Sequence, residues 1–202
     1  SDDLAFEPGV RQEYSNTGYI LLGAVIEKIT GKTYYDYVRR AIFKPCRMRS
    51  TGFDATNEAR DGFAVGYFEN ADDGGRLQSN LALHGARGAS AGGGWSTAPD
   101  LHRFFLALCD NRIIQASTRD VLWSPKPLTP KYGYGFQIGD GFAGPGWVGH
   151  DGGFPGVEAF VSYHPATCHT LVVLSNYYDS ALPLMEAFPK EFRSHYVGVA
   201  SN

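Results

Sequence analysis

The hydrophobic positions of the first fifty residues follow the period of amphipathic helices. Apolar residues recur at three- and four-residue spacing from Ile20 to Ile29, and Gly31 stands where a helix of that length ends. A second helix is predicted to begin at Thr33, which forms a capping box with Asp36, and to stop at Pro45. We therefore expect two consecutive helices near the start of the chain.

The middle of the chain carries turn and cap signals instead of long apolar runs. The polar stretch 51–85 predicts loops with short strands, and the glycine-rich loop 88–94 leads into a third helix capped by Thr97. A short helix over 117–123 is predicted to follow. The buried stripe of the third helix is predicted to be Leu101, Phe104, Phe105 and Leu108.

Near Tyr132 the pattern changes to that of strands. The segments 132–138, 156–163 and 170–176 are rich in aromatic and β-branched residues, and the last two are close enough for an antiparallel hairpin. A closing helix is predicted over 181–196. This order of elements, with helices first, an antiparallel meander next and a helix last, indicates a mixed α+β fold in which an antiparallel sheet is flanked by helices. The length of the chain predicts a single domain over residues 1–202.

Composition excludes several classes of protein. The 202 residues are 43% hydrophobic and carry a net charge of −3, which favours a globular chain and excludes the basic footprint of a nucleic-acid-binding protein. No apolar run approaches the roughly 18 residues of a membrane span. The six histidines lack metal-ligand spacing, so we expect neither metal nor cofactor. The three cysteines have no CxxC pairing and are expected to be packing thiols: Cys46, Cys109 and Cys168. Their number and spacing do not indicate whether the protein is found in an oxidising or a reducing compartment.

Two short motifs match known signatures without the context that those signatures need. Residues 88–92 match the G-x-S-x-G nucleophile elbow around Ser90, but no strand is predicted before the serine and glycines follow it. Residues 139–144 match G-x-G-x-x-G, but the next two residues, proline and glycine, forbid the required helix. Ser90 stays open only as an alternative nucleophile of an α/β-hydrolase.

The turn before the first predicted helix is the first candidate site. Tyr14 and Asn16 lie two residues apart, so a phenol that shuttles a proton and an amide that binds substrate could share one cleft. Taken alone, Asn16 is better explained as the N-cap of the helix.

A glycine-rich strand edge is the second candidate site. His150 precedes Gly152 and Gly153, where a substrate could approach the backbone closely and exposed N–H groups could form an oxyanion hole. The alternative for this segment is a glycine-rich hairpin with a chance histidine.

In this order, the two sites resemble a known family. Residues 7–32, which contain Tyr14-Ser15-Asn16, resemble the tyrosine-motif segment of class C β-lactamases and of the related penicillin-binding DD-peptidases and esterases. Residues 91–101 are similar to the segment before their last strands, and His150-Asp151-Gly152 stands where they have Lys-Thr-Gly or His-x-Gly. The resemblance implies the C-terminal part of a β-lactamase/transpeptidase-like fold, acyl-serine chemistry and a periplasmic or secreted location.

The resemblance also implies roles for single residues. Tyr14 would be the general base, and His150 would replace the strand lysine with a pH-dependent positive charge. Asn16, Asp151 and Gly152 would contact the substrate. The Gly153 N–H would be one oxyanion donor.

One departure from the family pattern concerns the substrate. The carboxylate of Asp151, where relatives often have a hydroxyl, would repel the carboxylate of β-lactams and D-alanyl peptides if it faces the cleft. This predicts a neutral ester or amide substrate, and an esterase or D-amino-acid peptidase role is preferred over that of a β-lactamase. If Asp151 faces away, this argument disappears.

The family nucleophile is the serine of a Ser-x-x-Lys pattern, and the sequence contains no such pattern. We therefore expect a chain that lacks the N-terminal nucleophile segment, is inactive alone, and self-associates through edges that this segment would cover. The alternative is a non-catalytic module that uses the same scaffold to bind a cell-wall peptide or a protein partner.

Overall fold

In the computed structural model, residues 4–54, 57–139, 144–177, 180–181, 183–184 and 187–188 are described. The first predicted helix is α1, Asn16–Thr30. It starts at Ser15, whose hydroxyl accepts a hydrogen bond from the Gly18 N–H at 3.0 Å. It ends at Gly31, whose positive φ of 63° is a conformation that glycine adopts without strain. Both the existence and the end of this helix are as predicted.

The second helical run is less regular than predicted. It comprises α2, Tyr34–Val38, a π-helical turn over Arg39–Phe43, and α3, Lys44–Cys46. Thr33 caps it as expected, because its hydroxyl accepts from the Asp36 N–H at 3.1 Å. The prediction that Pro45 stops the run is nearly correct, since Pro45 lies in the last turn. The π turn carries no simple sequence signal and was not predicted.

The middle of the chain forms the expected short elements. Strands β1, Tyr67–Asn70, and β2, Arg76–Ser79, pair antiparallel around a 3-10 turn, Ala71–Asp73. They precede helices α4, Ala98–Cys109, and α5, Ala116–Leu122. The cap at Thr97 is as predicted.

The second half of the chain is an antiparallel meander with the order β3-β4-β5-β6. Its strands are β3, Gln137–Ile138, β4, Val148–Phe154, β5, Val157–His164, and β6, His169–Ser175. The predicted first strand over 132–138 is wrong except for its last two residues. The chain turns there instead: the Gly133 N–H donates to the Phe136 carbonyl at 2.8 Å, and Gly135 has a positive φ of 79°. The closing helix predicted over 181–196 falls almost entirely outside the described residues.

The two faces of this sheet pack against different layers. Val148 and Tyr163 are paired across β4 and β5 and pack with Phe105 and Leu108 of α4. The ring of Phe105 stacks on that of Tyr163 with centroids 5.2 Å apart. On the opposite face, a second cluster is formed by Trp147, Phe160 and Ala181. Side chains alternate along a strand, so a residue's place in β4 decides which layer it meets.

Helix α4 is also fixed by a buried carboxylate. Asp100, in its first turn, is 1% exposed. It accepts hydrogen bonds from the Ser50 N–H at 2.7 Å, the Thr51 hydroxyl at 2.8 Å and the Arg103 guanidinium at 2.6 Å. These bonds tie the helix to the loop after α3 and satisfy the charge, as a buried carboxylate requires.

The predicted α+β architecture is confirmed, but the prediction that all three cysteines are packing thiols is wrong for one of them. All three are free thiols. Cys46 is buried against Ala107, and burial raises its pKa to about 11. Cys168, by contrast, is exposed in the turn between β5 and β6. Within the described residues, no helix combines the length and apolarity needed to cross a membrane.

Candidate active site

The start of α1 holds the first pair of candidate residues. The N-cap is Ser15, so the interpretation of Asn16 as the cap is wrong. Because the serine takes this role, the Asn16 side chain is available, and its carbonyl oxygen accepts a hydrogen bond from the Tyr14 hydroxyl at 2.8 Å. The Tyr14 side chain is 78% exposed. The structure therefore presents a phenol and a carboxamide together on one accessible turn.

The second candidate segment is β4, and its pairing decides where its backbone groups point. Gln137 lies opposite Gly149, and the Gly139 N–H donates to the Trp147 carbonyl at 3.1 Å. In an antiparallel pair, alternate residues bond to the same neighbour. The N–H and C=O groups of Trp147 and Gly149 thus point toward β3, and those of Asp151 and Gly153 point the same way.

Beyond Gly149 this side of β4 is an open edge among the described residues, because β3 pairs only with Val148 and Gly149. A side-chain carbon added at Gly152 or Gly153 would meet no heavy atom of the described residues within 4 Å. Backbone donors and acceptors on an open edge can pair with an extended ligand or with an oxyanion. The Gly153 N–H is such a donor.

His150 lies on the face of the sheet that carries α4. It is two residues beyond Val148 and opposite Val161, and both of those side chains belong to the α4 cluster. The Nε2 atom of His150 is 2.7 Å from the hydroxyl of Tyr132, a residue in the turn before β3. Sequence analysis did not identify Tyr132, because it assigned this aromatic and glycine-rich segment to a strand.

Tyr132 joins the two candidate segments. Burial raises the pKa of its phenol, and a hydrogen bond to Tyr19 and the charges of Tyr19, Tyr14 and Asp151 raise it further. Tyr19 lies in the first turns of α1, and its hydroxyl oxygen is 3.8 Å from a side-chain carbon built on Gly135. The start of α1 and the edge of β4 therefore meet around one partly buried phenol.

Asp151 leaves the strand on the face opposite His150, yet its carboxylate stays at the open edge. It accepts a hydrogen bond from the Gln137 side-chain amide. One of its oxygens is also 3.8 Å from Nδ1 of His150. The charge thus lies beside the imidazole although the side chain begins on the other face. Gln137 is a second site residue that the sequence analysis did not identify.

The remaining sequence candidates lie elsewhere. The Ser90 hydroxyl donates to the Tyr19 carbonyl at 2.8 Å, and a side-chain carbon at Gly23 would meet this hydroxyl. Ser90 therefore packs the glycine-rich loop onto α1, and no strand leads into it. The described residues contain no group of three or more His, Cys, Asp or Glu side chains that could hold a metal ion.

An antiparallel sheet edge facing a Tyr-x-Asn turn defines the class of β-lactamase-like and penicillin-binding serine hydrolases. The sequence profile of the Beta-lactamase family matches residues 1–189. The chain belongs to this family.

Relatives in sequence and in structure agree with this assignment. Penicillin-binding protein 4* of Bacillus subtilis (strain 168) is 31% identical, over 85% of this chain and 41% of its own length. A penicillin-binding protein from Bacillus halodurans superposes with a TM-score of 0.84 at 29% identity, over 95% of this chain and 60% of that one. The expected partial β-lactamase/transpeptidase-like fold is confirmed.

Two further solved structures are similar. D-amino acid amidase from Ochrobactrum anthropi SV3, in complex with D-phenylalanine, has a TM-score of 0.73 at 27% identity, over 94% of this chain and 61% of that one. An octameric penicillin-binding protein homologue from Pyrococcus abyssi has a TM-score of 0.75 at 26% identity, over 93% and 44% of the two chains. The chain spans about two-fifths of the length of the curated relatives that it matches.

Proposed function

We propose that this chain forms the tyrosine- and histidine-bearing part of a serine hydrolase that cleaves an ester or amide through an acyl-serine intermediate. The observation that carries the proposal is that Tyr19 of α1 approaches the turn that contains Tyr132, whose hydroxyl contacts His150 of β4. Esterase or D-amino-acid peptidase activity is preferred over β-lactamase activity, and the similarity to a D-amino acid amidase supports this preference.

Tyr14 is proposed as the general base and later as the proton donor to the leaving group. Its hydroxyl donates to Asn16, so Asn16 orients the phenol while its NH₂ group can donate to a substrate carbonyl. Positioned acid–base groups contribute about 10²- to 10⁴-fold to rate. In a longer polypeptide that supplies a Ser-x-x-Lys nucleophile, Tyr14→Phe should lower kcat by a factor in that range. Tyr134→Phe, which removes an exposed hydroxyl, should leave kcat unchanged.

The open edge of β4 is proposed as the substrate-binding strand. The N–H of Gly153 would stabilise the oxyanion, and Gly152 would leave room for the substrate backbone beside His150. Gly153→Pro removes this N–H. It should therefore abolish turnover, whereas Gly152→Ala should mainly weaken substrate binding. Equal loss in both variants would contradict the assignment of the donor to Gly153.

The Asp151 carboxylate is proposed to select substrates without a negative charge. It lies 3.8 Å from the His150 ring at the edge where substrate would bind, so an anionic substrate would meet like charge. In the longer polypeptide, a short-chain aryl ester should be hydrolysed faster than a chromogenic cephalosporin. Asp151→Asn should reduce the difference between the rates of hydrolysis of the ester and the cephalosporin. Asp72→Asn, in the β1–β2 turn, should leave this difference unchanged. Faster cephalosporin turnover by the unmodified protein would overturn this preference.

The 202 residues alone contain no Ser-x-x-Lys pattern. We therefore expect a fluorophosphonate or penicillin label to leave this chain unmodified. Covalent labelling at Ser90 would instead support the α/β-hydrolase alternative, although the Ser90 hydroxyl is engaged with α1.

The same missing pattern favours one second candidate, a non-catalytic module that binds a cell-wall peptide or a protein partner on the β4 edge. The two candidates differ in the longer polypeptide. A peptide that binds saturably but is never cleaved, in a protein without Ser-x-x-Lys, would support the binding module. Turnover that depends on Tyr14 would support the hydrolase.

We also infer that the isolated chain self-associates. Large apolar side chains of α1 are exposed, and the similar structure from Pyrococcus abyssi is octameric. Sedimentation velocity over a hundredfold range of concentration should show a rising average mass. A single monomeric species at the highest concentration would contradict the inference.

A further inference from the structure

The imidazole of His150 uses both of its nitrogen atoms within the protein. Nε2 lies 2.7 Å from the Tyr132 hydroxyl, and Nδ1 lies 2.5 Å from the Asp151 backbone carbonyl oxygen. The two rings meet edge to face, with an interplanar angle of 86°. His150 is therefore held from two sides, by its own strand and by the turn before β3.

These contacts determine where the protons lie. A carbonyl oxygen only accepts, so the Nδ1 atom of His150 must carry hydrogen. In the neutral ring, Nε2 is then an acceptor, and the Tyr132 hydroxyl must donate to it. The arrangement defines one tautomer of the neutral ring, with Nδ1 protonated and Nε2 bare.

The surroundings of Tyr132 suit it to this task. Burial and the hydrogen bond to Tyr19 raise the pKa of its phenol, so the hydroxyl keeps its proton over the range in which histidines change charge. The titratable groups that act on it are Tyr19 and Tyr14 from the start of α1 and Asp151 from β4. If His150 becomes protonated, Nε2 turns into a donor, and the phenol oxygen can accept from it.

We propose that Tyr132 is a positioning residue that, together with the Asp151 backbone carbonyl, fixes the tautomer and ring plane of His150. This inference deepens the proposed function, since it concerns the histidine assigned there to the substrate edge. It is a separate claim about structure, because it holds in this chain without any nucleophile.

The test reads the imidazole directly. In the ¹⁵N-histidine-labelled chain, long-range ¹H–¹⁵N correlation at a pH where His150 is neutral should show a protonated Nδ1 and a bare Nε2. Tyr132→Phe keeps the ring and removes the donor, which leaves only the Asp151 carbonyl to hold the imidazole, so the fraction of His150 in the Nδ1-protonated tautomer should fall. Tyr134→Phe, in the same turn but exposed, should leave the His150 signals unchanged.

Two results would overturn the proposal. One is a protonated Nε2 in the neutral, unmodified chain, a result that does not depend on how any variant folds. The other is an unchanged His150 tautomer in a folded Tyr132→Phe chain. Neither result bears on Tyr14 or on turnover, so the proposed hydrolase function would stand or fall by its own experiments.

Discussion

Helices α1 and α4 are both amphipathic and of similar length, yet the structure treats their apolar faces in opposite ways. In α4, Phe105 and Leu108 are 1% and 2% exposed beneath the sheet. In α1, Leu21 and Ile29 remain 62% and 78% exposed, and the only buried residue is Gly23. The α4 side of the molecule thus has a complete core, while α1 has an apolar face without a covering layer in the described residues.

This difference separates the part of the fold that supplies stability from the helix that carries the Tyr14 turn. The β4 edge rests on the complete core through Val148 and Tyr163. The Tyr14 turn belongs to the helix whose apolar face is open, and its described ties to the rest run through Ser90, Tyr34 and Tyr132. We therefore expect substitutions near α4 to change the free energy of unfolding, and substitutions on α1 to change association.

The largest expected effect is that of Phe105→Ala. Removing a fully buried ring that stacks on Tyr163 should lower the free energy of unfolding by about 3–5 kcal/mol. Ile29→Ala, on the exposed face of α1, should change it by less than about 0.5 kcal/mol. Urea unfolding followed by circular dichroism measures both. If the alanine variant at 105 does not fold, Phe105→Leu should show a smaller loss, and similar losses at both positions would contradict the comparison.

A smaller loss is expected when the buried carboxylate in the first turn of α4 is altered. Asp100→Asn keeps the shape but can no longer accept three hydrogen bonds, so the free energy of unfolding should fall by about 1–3 kcal/mol. The matched control is Asp110→Asn, because Asp110 lies at the other end of the same helix and its ion pair with Arg112 is exposed. A control that loses as much as Asp100→Asn would show that helix charge matters and not burial.

Acid should lower the free energy of unfolding through two histidines, neither of which lies in α1. Burial lowers the pKa of His84 and, with the charge of His169, that of His164 below the ordinary value of 6.5. Below pH 6.5 the unfolded chain therefore binds more protons than the folded chain, and stability falls as the pH drops from 6.5 toward the lowered values.

Urea unfolding at pH 7.5 and 5.5 measures this loss. The variant His84→Asn with His164→Asn should lose less stability between the two pH values than the unmodified chain. Ile29→Ala should lose as much stability between the two pH values as the unmodified chain. If the histidine variant lost as much stability between pH 7.5 and 5.5 as the unmodified chain, the acid sensitivity would come from other groups.

The smallest effect on folding, with a clear effect on association, is expected on α1 itself. Replacing Leu21 and Ile29 by Gln removes exposed apolar surface and should leave the free energy of unfolding nearly unchanged. The average mass by sedimentation velocity should fall toward that of the monomer. Gln at Val121 and Leu128, which are exposed outside α1, serves as the control and should not change the mass.

Much of the fold could be predicted because its signals are local. The caps at Thr33 and Thr97 and the positive φ at Gly31 depend on residues within one turn of the chain, and the helices begin or end there. The hairpin of β5 and β6 follows from a short link between two β-rich segments. The error at 132–138 arose because aromatic residues favour strands, while two glycines in the same segment favour a turn.

The candidate site could be predicted only in part. Tyr14, Asn16 and His150 were selected from the chemistry of two short segments and then supported by their resemblance to a family pattern, which records position but not contacts. Tyr132 and Gln137 lie in no such pattern, and their roles depend on the packing of one turn between α1 and β4. The environment of Asp151 was also beyond sequence, because alternation gives the face of a side chain but not where its carboxylate ends.

Because one cysteine is buried and another is exposed, their alkylation rates can report local unfolding around α4. Cys46 is completely buried against α4, and its high thiol pKa further slows its reaction, so an alkylating reagent can reach it only when α3 and α4 separate. Cys168 is exposed and should react at once. Timed alkylation followed by mass spectrometry would therefore measure how often α3 and α4 separate in the unmodified chain. The rapid reaction of Cys168 would serve as the internal reference.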